Sequence, residues 1–425
     1  MQSREYPEIG EKLYEDTLPN GLRIRVVPKA GFSSFFAAFA VNYGGAHRRF
    51  ELDGKKLDTP AGIAHFLEHK MFDMPSGDSA INILTANGAD PNAFTSEDVT
   101  CYYFECTHSF EENLRLLLRF VSTPYFTAET VQKEQGIIGQ EIRMGEDDPG
   151  DALYYNLYKL LYPEHPVKDR IAGTVESIAE ISDKTLYDCY NMFYRPSNMI
   201  LSVAGDVDPE RVMKIAEEEL SSTLQSVPVA DFPEFNSMLP AESLISENME
   251  VSAPQFMIGA KMCPEKEGVK ALRQDLVAKL SLRLLAGYSS PLYTKLYSAG
   301  LLSRNFDYEC NVTAGTGALI LGGESPKPME VLNALKLEVE RINKDGLDSE
   351  RFERAKRASL GARLRGLEDF ENVCVSLIFC LFEGYCAFDA LKVLGSITKE
   401  ECEEFIREHF APERLAVSII EAKRS

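Results

Sequence analysis

The C-terminal part of this sequence repeats the N-terminal part, and this duplication limits the possible folds more than any other feature. Residues 181–206 (ISDKTLYDCYNMFYRPSNMILSVAGD) align without gaps with residues 397–422 (ITKEECEEFIREHFAPERLAVSIIEA), at a constant offset of 216 residues. Pro196 matches Pro412 in this alignment. In both copies an amphipathic helix ends near the proline and an apolar strand follows. We therefore expect one folding unit that is used twice.

A second, shorter match extends the repeat, since IIGQEIR at residues 137–143 resembles SLGARLR at 359–365. Between the copies, the stretch from 221 to about 247 contains three prolines among small polar residues and has no sustained periodicity. Such a composition is typical of a linker. We predict three segments, namely an N-terminal half-domain at residues 1–222, a linker at 223–246 and a C-terminal half-domain at 247–425.

Within each half, the order of the predicted elements indicates an α+β fold. Apolar stretches such as LRIRVVPKA and FFAAFAVNYGG are typical of strands and come first, followed by a helix, further strands, a pair of helices and a closing strand. This order favours an antiparallel or mixed sheet with helices packed on one side. The 425 residues, of which 44% are hydrophobic, are enough to bury a large core.

Composition argues against some classes of function. The net charge of -21 argues against a nucleic-acid partner, because phosphate binding requires a basic surface. The charge would attract basic peptides, or it serves only to keep the protein in solution. No apolar run approaches the roughly 20 residues that cross a bilayer, and the first residues lack the apolar core of a signal peptide. Nine cysteines without a CxxC pair fit reduced thiols. We expect a cytoplasmic protein without a membrane partner.

The pentapeptide HFLEH, at residues 65–69, indicates a metal-dependent hydrolase. On a helix, positions i, i+3 and i+4 share a face, so His65, Glu68 and His69 project to the same point. The pattern is the inverted form of HExxH, the inverzincin signature, in which two histidines bind zinc and the glutamate acts on a water molecule. A chance match is the alternative interpretation, and it predicts no third ligand elsewhere in the chain.

A possible acidic partner for these histidines lies in VQKEQGIIGQEIR, at residues 131–143. Apolar residues recur there at helical spacing, and Glu134 and Glu141 lie seven residues apart, about two turns, on one face. Both carboxylates can therefore face the same site. The alternative is a solvated acidic face, which is the usual position of glutamates on helices.

At these motifs the sequence resembles the pitrilysin and mitochondrial processing peptidase family of zinc metallopeptidases, in particular its small bacterial members. The resemblance covers nearly the whole chain. It is carried by HFLEHKMF at 65–72, NAFTSEDVTCYYF at 92–104, VQKEQGIIGQEI at 131–142, HPVKDRIAGTVESI at 165–178 and MFYRPSNMILSVAGDVDP at 192–209. It implies that the two half-domains face each other across a chamber.

The resemblance also implies roles for five residues of this sequence. His65, His69 and Glu141 are expected to bind one Zn²⁺ ion per chain, Glu68 to act as the catalytic base, and Glu134 to act as a supporting acid. The implied activity is zinc-dependent hydrolysis of peptides or small unfolded polypeptides held in an enclosed chamber.

The stretch at 92–104 has the β-branched and aromatic content of a strand and follows the loop sequence NGADP. In the family this region offers an edge to which an extended peptide adds as a further strand, so that backbone hydrogen bonds supply affinity. On this resemblance, Asn92, Ala93 and Phe94 line the substrate groove. An ordinary core strand is the alternative interpretation.

The second copy has lost the residues on which this chemistry depends. At the offset of 222 residues set by IIGQEIR and SLGARLR, Arg363 replaces Glu141 and Lys356 replaces Glu134. The helix predicted around residues 272–287 contains no histidine. We therefore expect the C-terminal half to bind no zinc and to serve packing and the shape of the substrate cavity.

One departure from the family concerns this metal-free half. Many members carry an Arg-Gly-Leu-x-Tyr element whose arginine and tyrosine reach the substrate, whereas KLYSAGLLSRNF at 295–306 has Ala299 and Ser303 at those places. Arg304 and Tyr308 are near but do not match the spacing. We therefore expect another chain to supply the missing groups, as in two-subunit members in which a zinc-free paralogue pairs with the zinc subunit. The expected assembly is such a heterodimer or a homodimer. The alternative function is a zinc-binding or peptide-binding scaffold subunit that is inactive without a paralogous partner.

Overall fold

The computed structural model describes residues 1–423, except for the side chain of Lys55. These residues form two units with the same strand connectivity. The strands are β1 (Gln2–Tyr6), β2 (Glu11–Thr17), β3 (Arg23–Pro28), β4 (Phe35–Val41), β5 (Arg49–Leu52), β6 (Lys55–Asp58), β7 (Ala89–Thr95), β8 (Thr100–Cys106), β9 (Met199–Gly205), β10 (Val229–Ala230), β11 (Leu244–Met249), β12 (Gln255–Met262), β13 (Asp307–Thr313), β14 (Thr316–Glu324) and β15 (Leu415–Ala422). The helices are α1 (Ile63–Met71), α2 (Ala80–Ala86), α3 (Phe110–Val121), α4 (Ala128–Glu146), α5 (Pro149–Leu161), α6 (Val175–Ala179), α7 (Asp183–Phe193), α8 (Pro209–Glu219), α9 (Gly268–Ala286), α10 (Pro291–Ser298), α11 (Pro328–Asp345), α12 (Ser349–Gly366), α13 (Phe370–Phe382), α14 (Ala390–Ser396) and α15 (Lys399–His409).

The strands form two large mixed sheets and one small sheet of β10, β5 and β6. The N-terminal sheet has the order β1-β2-β3-β9-β4-β8-β7, and the C-terminal sheet has the order β11-β15-β12-β14-β13. In each large sheet one pair is parallel, β3 with β9 and β11 with β15, and the remaining pairs are antiparallel. The five strands β3-β9-β4-β8-β7 therefore correspond to the five strands of the C-terminal sheet. The predicted α+β class with two homologous halves is confirmed.

The two halves exchange one helix each. α13 lies against the N-terminal sheet, where Cys374 and Leu377 are buried in one apolar cluster with residues of β4 and β9. α5 lies against the C-terminal sheet, where Leu157 and Leu161 are buried with residues of β14 and β15. Each half thus packs its own helices on one face of its sheet, as predicted, and the other half covers the second face. Because burying one large apolar side chain contributes about 1.5–3 kcal/mol, this exchange holds the halves together.

Coverage of both faces explains the sequence of the closing strands. β9 (MILSVAG) is buried at every position, and β15 (LAVSIIEA) is buried at six of its eight positions. A strand with one face in solvent would instead alternate apolar and polar residues. The apolar runs that end both sequence repeats therefore mark the strands that lie between two layers of helices.

The boundary between the halves differs slightly from the predicted one. β11 begins at Leu244, so the first three residues of this strand fall inside the predicted linker at 223–246. In the same segment, β10 pairs with β5 of the N-terminal half. The strand β11 (LISENM) is exposed at four of its six positions. The sequence of β11 lacks the apolar pattern typical of a strand. Backbone pairing with β15 holds this strand in place, and burial of its side chains contributes little.

No single helix within residues 1–423 is long and apolar enough to cross a membrane. Two consecutive helical segments, Phe370–Phe382 and Ala387–Ser396, are long and apolar enough only when taken together, and they are bent by 99° relative to each other. The apolar face of the first helix of this pair packs against the N-terminal sheet. All nine cysteines are free thiols, as the sequence predicted.

Candidate metal centre

The helix that carries HFLEH begins at a position that requires glycine. Gly62 precedes α1 with φ of 94°, a left-handed conformation that favours glycine. A Cβ atom at this position would also lie 2.6 Å from the backbone oxygen of Ala172. The loop that contains Ala172 therefore sets where α1 starts, and this fixes the direction in which the side chains of the helix project.

α1 is amphipathic at the spacing predicted from the sequence. Phe66, Leu67 and Met71 are buried in the N-terminal core. His65 and His69 project from the opposite side, and the centroids of their rings are 4.6 Å apart. The predicted helix and the shared face of the two histidines are thus confirmed.

The acidic partners lie on α4, which packs beside α1. A capping box, in which the side chains of Thr127 and Thr130 bond each other's backbone N–H groups, fixes the start of this helix. Val131, Ile138 and Ile142 are buried, so α4 is anchored on one side. Glu134 and Glu141 project toward α1 as predicted, because both contact its histidines.

Three donor groups converge between the two helices. Glu141 Oε1 lies 3.5 Å from His65 Nε2, and Glu141 Oε2 lies 3.7 Å from His69 Nε2. His65, His69 and Glu141 form the one group of at least three histidine, cysteine or acidic residues in the described chain whose donor atoms all lie within 4.8 Å of one another. Two imidazoles and one carboxylate that leave a fourth position open are the ligand set of catalytic zinc sites, so the residues present fit that ion.

Glu134 is placed where its carboxylate would orient the ring of His69. His69 Nδ1 donates a hydrogen bond to Glu134 Oε1 at 3.1 Å, which leaves His69 Nε2 directed at Glu141. The other Glu134 oxygen lies 3.9 Å from Lys70 Nζ, and Lys70 also pairs with Asp73. Lys70 is 1% exposed. Carboxylates that bond the second nitrogen of a ligating histidine fix its tautomer and ring orientation.

Glu68, the predicted base, is held by a residue that the sequence did not single out. Thr95 Oγ1 donates a hydrogen bond to Glu68 Oε2 at 2.6 Å. Thr100 Oγ1 lies 3.3 Å from Thr95 but donates its own proton to the backbone oxygen of Tyr43 at 2.8 Å, so Thr95 keeps its proton for Glu68. Glu68 Oε1 makes no hydrogen bond within the described residues, and this oxygen remains available to accept a proton.

The pairing of opposite charges shifts the ionisation of the site. The hydrogen bond with His65 lowers the pKa of Glu141. Burial raises the pKa of Glu134, but the hydrogen bond from His69 and the charge of Lys70 lower it by more, so its pKa lies below the ordinary value. Burial lowers the pKa of His69, whereas the surrounding carboxylates raise it to above its ordinary value. Both carboxylates are therefore ionised at neutral pH, as ligand and orienting roles require.

The stretch at 92–104 forms a hairpin rather than one strand. β7 begins at Ala89, inside the predicted loop NGADP, and a turn at 96–99 leads into β8. β7 is the last strand of the N-terminal sheet, so one of its edges has no neighbouring strand within the described residues. The predicted free edge is thus present, and Thr95 at its end contacts the predicted base.

The three predicted groove residues divide between the two faces of β7. Ala93 packs against the same apolar cluster as α1, on the face that also holds Thr95. Phe94 points to the opposite face, where its ring stacks on Phe379 of α13 with a centroid distance of 6.2 Å. Asn92 shares the face of Phe94, because alternate residues of a strand point the same way. Substrate binding by these residues stays a prediction, and Phe94 could contribute to it only through its backbone.

His65, His69 and Glu141 line none of five cavities of about 280 to 670 Å³ in the described part of the chain. Arg304 bonds Tyr297 at 3.4 Å, and Tyr308 lines a cavity of the C-terminal half. Within the described residues, no hydrogen bond or ion pair joins either side chain to His65, His69 or Glu141.

Comparison with known proteins decides the family. The family described as Insulinase (Peptidase family M16) matches residues 54–175, and the one described as Peptidase M16 inactive domain matches residues 180–359. The chain is 37% identical over 422 residues to the protein named uncharacterized zinc protease YmfH of Bacillus subtilis (strain 168), with 97% of each chain covered. The chain belongs to peptidase family M16. All five residues of the predicted centre lie in the first matched segment of this M16 chain.

Solved structures share the architecture of this M16 chain. An M16-like peptidase from Alicyclobacillus acidocaldarius is 32% identical and superimposes with a TM-score of 0.93 over 99% of this chain and all of that one. Pitrilysin superimposes with a TM-score of 0.79 at 15% identity, and the whole M16 chain covers 47% of the pitrilysin chain. At that identity the likeness shows the fold alone.

Sequence reasoning did not find two residues that support the M16 centre. Lys70 directly follows HFLEH, and Thr95 lies inside the stretch at 92–104, so both residues belong to or adjoin the motifs named above. Neither has a signal of its own, because a lysine after a histidine and a threonine in a strand are common. Only the packing of α1 against α4 and β7 shows which acids they contact.

Proposed function

We propose that this M16 chain is a zinc-dependent endopeptidase that hydrolyses peptides or small unfolded polypeptides. The observation that carries the proposal is the convergence of donor atoms from His65, His69 and Glu141 beside Glu68. Glu68 is 8% exposed and has one oxygen held and one oxygen without a hydrogen bond in the described chain. This is the arrangement expected of a base that acts next to a metal.

Each protein group has a defined part in the proposed reaction. A zinc ion, when bound, supplies polarisation of the scissile carbonyl and a lowered pKa of a water molecule. Glu68 Oε1 accepts the proton of the attacking water and passes it to the nitrogen of the leaving amine. Thr95 holds Oε2, so that the carboxylate keeps one orientation during the transfer. Glu134 keeps His69 in the tautomer that presents Nε2 to the centre.

The substrate is proposed to bind as an extra strand on β7. An extended peptide that pairs with this edge gains backbone hydrogen bonds without demanding particular side chains. The peptide would then run past Thr95, the last residue of β7, which contacts Glu68. Peptide pairing thus brings a scissile bond to the base, with Asn92, Ala93 and Phe94 contributing backbone groups.

A second chain is proposed to complete the enclosed chamber. Glu141 is exposed in the single chain, and Ala299 and Ser303 replace the arginine and tyrosine that other members bring to the substrate. The chain also matches about half the length of pitrilysin. A homodimer would supply the missing half, and a heterodimer with a zinc-free paralogue would also supply an arginine and a tyrosine. The free thiols support a cytoplasmic location for this assembly.

A quenched-peptide hydrolysis assay tests the proposal on the zinc-loaded chain, alone and mixed with a zinc-free M16 paralogue. We expect turnover that Glu68→Gln lowers by about 10²- to 10⁴-fold, the usual contribution of a positioned acid–base group, without loss of zinc. Glu146→Gln is the matched control, because Glu146 is exposed on α4 and contacts none of the centre. Hydrolysis that Glu68→Gln leaves unchanged would refute the assignment of the base.

The alternative function is a scaffold subunit that binds zinc or peptide without cutting. The observation that favours it is the absence of an arginine and a tyrosine at positions 299 and 303. In this case the zinc-loaded chain alone would bind peptides but hydrolyse none. Turnover by a verified monomer would instead exclude both the scaffold function and the need for a partner.

A further inference from the structure

The C-terminal half has a pocket at the place that corresponds to the candidate metal centre. α9 follows β12 as α1 follows β4 and its small hairpin, and α12 carries SLGARLR, the counterpart of IIGQEIR on α4. The strand registers make Cys310 on β13 the counterpart of Thr95 on β7. The space between α9 and α12 is therefore the topological equivalent of the space between α1 and α4.

A cavity of about 480 Å³ opens at this place, and its charged residues are all basic. Lys279 and Arg283 come from α9 and Arg363 comes from α12, whereas no aspartate or glutamate is among the residues that line it. This local sign is opposite to that of the chain, which has 66 acidic and 45 basic residues. Because Arg363 is the counterpart of Glu141, an acidic group has become a basic one at the same place in the fold.

Two of these cations lack an acidic partner. Within residues 1–423, no carboxylate oxygen lies within 4.0 Å of the guanidinium group of Arg283 or Arg363. Arg283 Nη1 donates to Ser359 Oγ at 3.3 Å, and Lys279 pairs with Asp275 at 2.7 Å. The planar donor fork of arginine matches the oxygens of a phosphate or a carboxylate. Two such forks on the walls of one cavity can therefore clamp an oxyanion from two sides.

The rest of the cavity suits the apolar body of a small molecule. Cavities of about 300–1,000 Å³ with mostly apolar walls and a few converging polar groups are typical small-molecule sites. The apolar part of the wall includes the buried residues Leu276, Leu280, Val373, Phe388 and Leu394. We propose that the C-terminal half binds a small organic anion, with a phosphate or carboxylate head group between Arg283 and Arg363 and an apolar body against these residues.

The proposal is independent of the metal and of peptidase activity. The overall negative charge of the molecule repels anions, so a saturable anion site requires a local arrangement of this kind. The competing interpretation is that both arginines are only solvated. It predicts no binding, because a pair of exposed charges in water attracts an anion weakly.

Isothermal titration calorimetry on the full chain tests the proposal with phenyl phosphate and benzoate as probes. Benzyl alcohol is the neutral probe, and inorganic phosphate lacks the apolar body. We expect saturable binding of at least one aromatic anion and weaker binding of both comparison probes. Arg363→Gln and Arg283→Gln should each weaken binding about 10-fold, the usual effect of losing a charge-assisted hydrogen bond. Which anion binds more tightly identifies the head group.

Three controls make the result decisive. Arg357→Gln removes an exposed charge of α12 that does not line the cavity, and it should leave the affinity unchanged. Arg363→Lys keeps the charge and loses the fork, and it should weaken binding less than Arg363→Gln. Anion binding should persist in Glu141→Gln, and this result would show that the anion does not bind to a zinc ion at the candidate centre. No saturable binding, an equal loss in Arg357→Gln, or loss of binding in Glu141→Gln would overturn the proposal.

Discussion

The two halves of this M16 chain share one strand connectivity and differ in the charges of the side chains at equivalent positions. In the N-terminal half, α1 and α4 bring two histidines and Glu141 together. In the C-terminal half, α9 and α12 bring Lys279, Arg283 and Arg363 to the same place. The strand order, the parallel pair and the exchanged helix are retained in both. The scaffold therefore depends on buried positions, whereas the chemistry depends on a few residues on facing helices.

A large, pH-dependent effect on stability is predicted at the turns where the halves meet. Glu97 and Asp98 lie in the turn between β7 and β8, and Asp98 accepts a hydrogen bond from Ala314 in the equivalent turn at 3.4 Å. Glu97 is 5% exposed, and neither of its carboxylate oxygens has a partner within the described residues. Burial, together with the charges of Asp98 and Asp169, raises the pKa of Glu97 to about 8. The C-terminal turn has Ala314 and Gly315 instead and carries no such charge.

A raised carboxyl pKa makes stability depend on pH in one direction. The contribution of Glu97 is complete below an unfolded-state pKa of about 4.5 and is lost as the pH rises toward 8. Glu97→Gln should therefore raise the free energy of unfolding by about 3 kcal/mol at pH 7 and change it little at pH 4. Denaturant titrations across this range measure the difference. Glu105→Gln, at an exposed position of β8, is the control. A gain that is equal at all pH values would contradict the account.

The exchanged helices allow a direct comparison of the halves. Leu377 of α13 and Leu157 of α5 are both buried against the sheet of the other half. Replacing either with alanine should cost about 2–5 kcal/mol of stability. Hydrogen exchange should show lost protection in β4 and β9 for Leu377→Ala, and in β14 and β15 for Leu157→Ala. Leu364→Ala, at an exposed position of α12, should change neither. Loss confined to a variant's own half would refute the exchange.

These cases show which parts of the structure could be predicted from sequence. The duplicated fold and the facing histidines have local periodic signals, and both are present in the structure. The exchange of α5 and α13 has no such signal, because an apolar helix face does not reveal which sheet it covers. The partners Lys70 and Thr95 and the side of β7 on which Phe94 lies depend on contacts between distant segments. The start of β11 is not visible in the local sequence, because Leu244 pairs with Val417, 173 residues further along the chain.

The centre itself offers a comparison between Glu134 and its counterpart Lys356. Glu134→Ala should weaken zinc affinity about 10- to 100-fold, because His69 loses the carboxylate that fixes its ring. Glu134→Gln keeps a hydrogen-bond acceptor and should weaken zinc affinity less. Lys356→Ala should leave zinc affinity unchanged. Competition with a chromophoric chelator measures all three, and equal affinities would exclude the orienting role of Glu134.

The smallest predicted effect concerns Thr95 and its counterpart Cys310. Thr95→Val removes the hydrogen bond to Glu68 and should lower kcat about 10-fold with little change in KM, since a hydrogen bond to a charged group contributes about 1.5–3 kcal/mol. Thr95→Ser restores the hydroxyl and should restore kcat. Cys310→Ser should have no effect on turnover. A change in KM alone would show that Thr95 acts on substrate binding and not on the base.

The central claim is that one half of the chain binds a metal and the other half does not. Elemental analysis of the purified chain, combined with location of the metal by anomalous scattering, tests it most directly. We predict one zinc ion per chain, bound by His65, His69 and Glu141, that is lost in Glu141→Gln and retained in Arg363→Gln. Zinc in the C-terminal half, or full zinc occupancy in Glu141→Gln, would contradict the account.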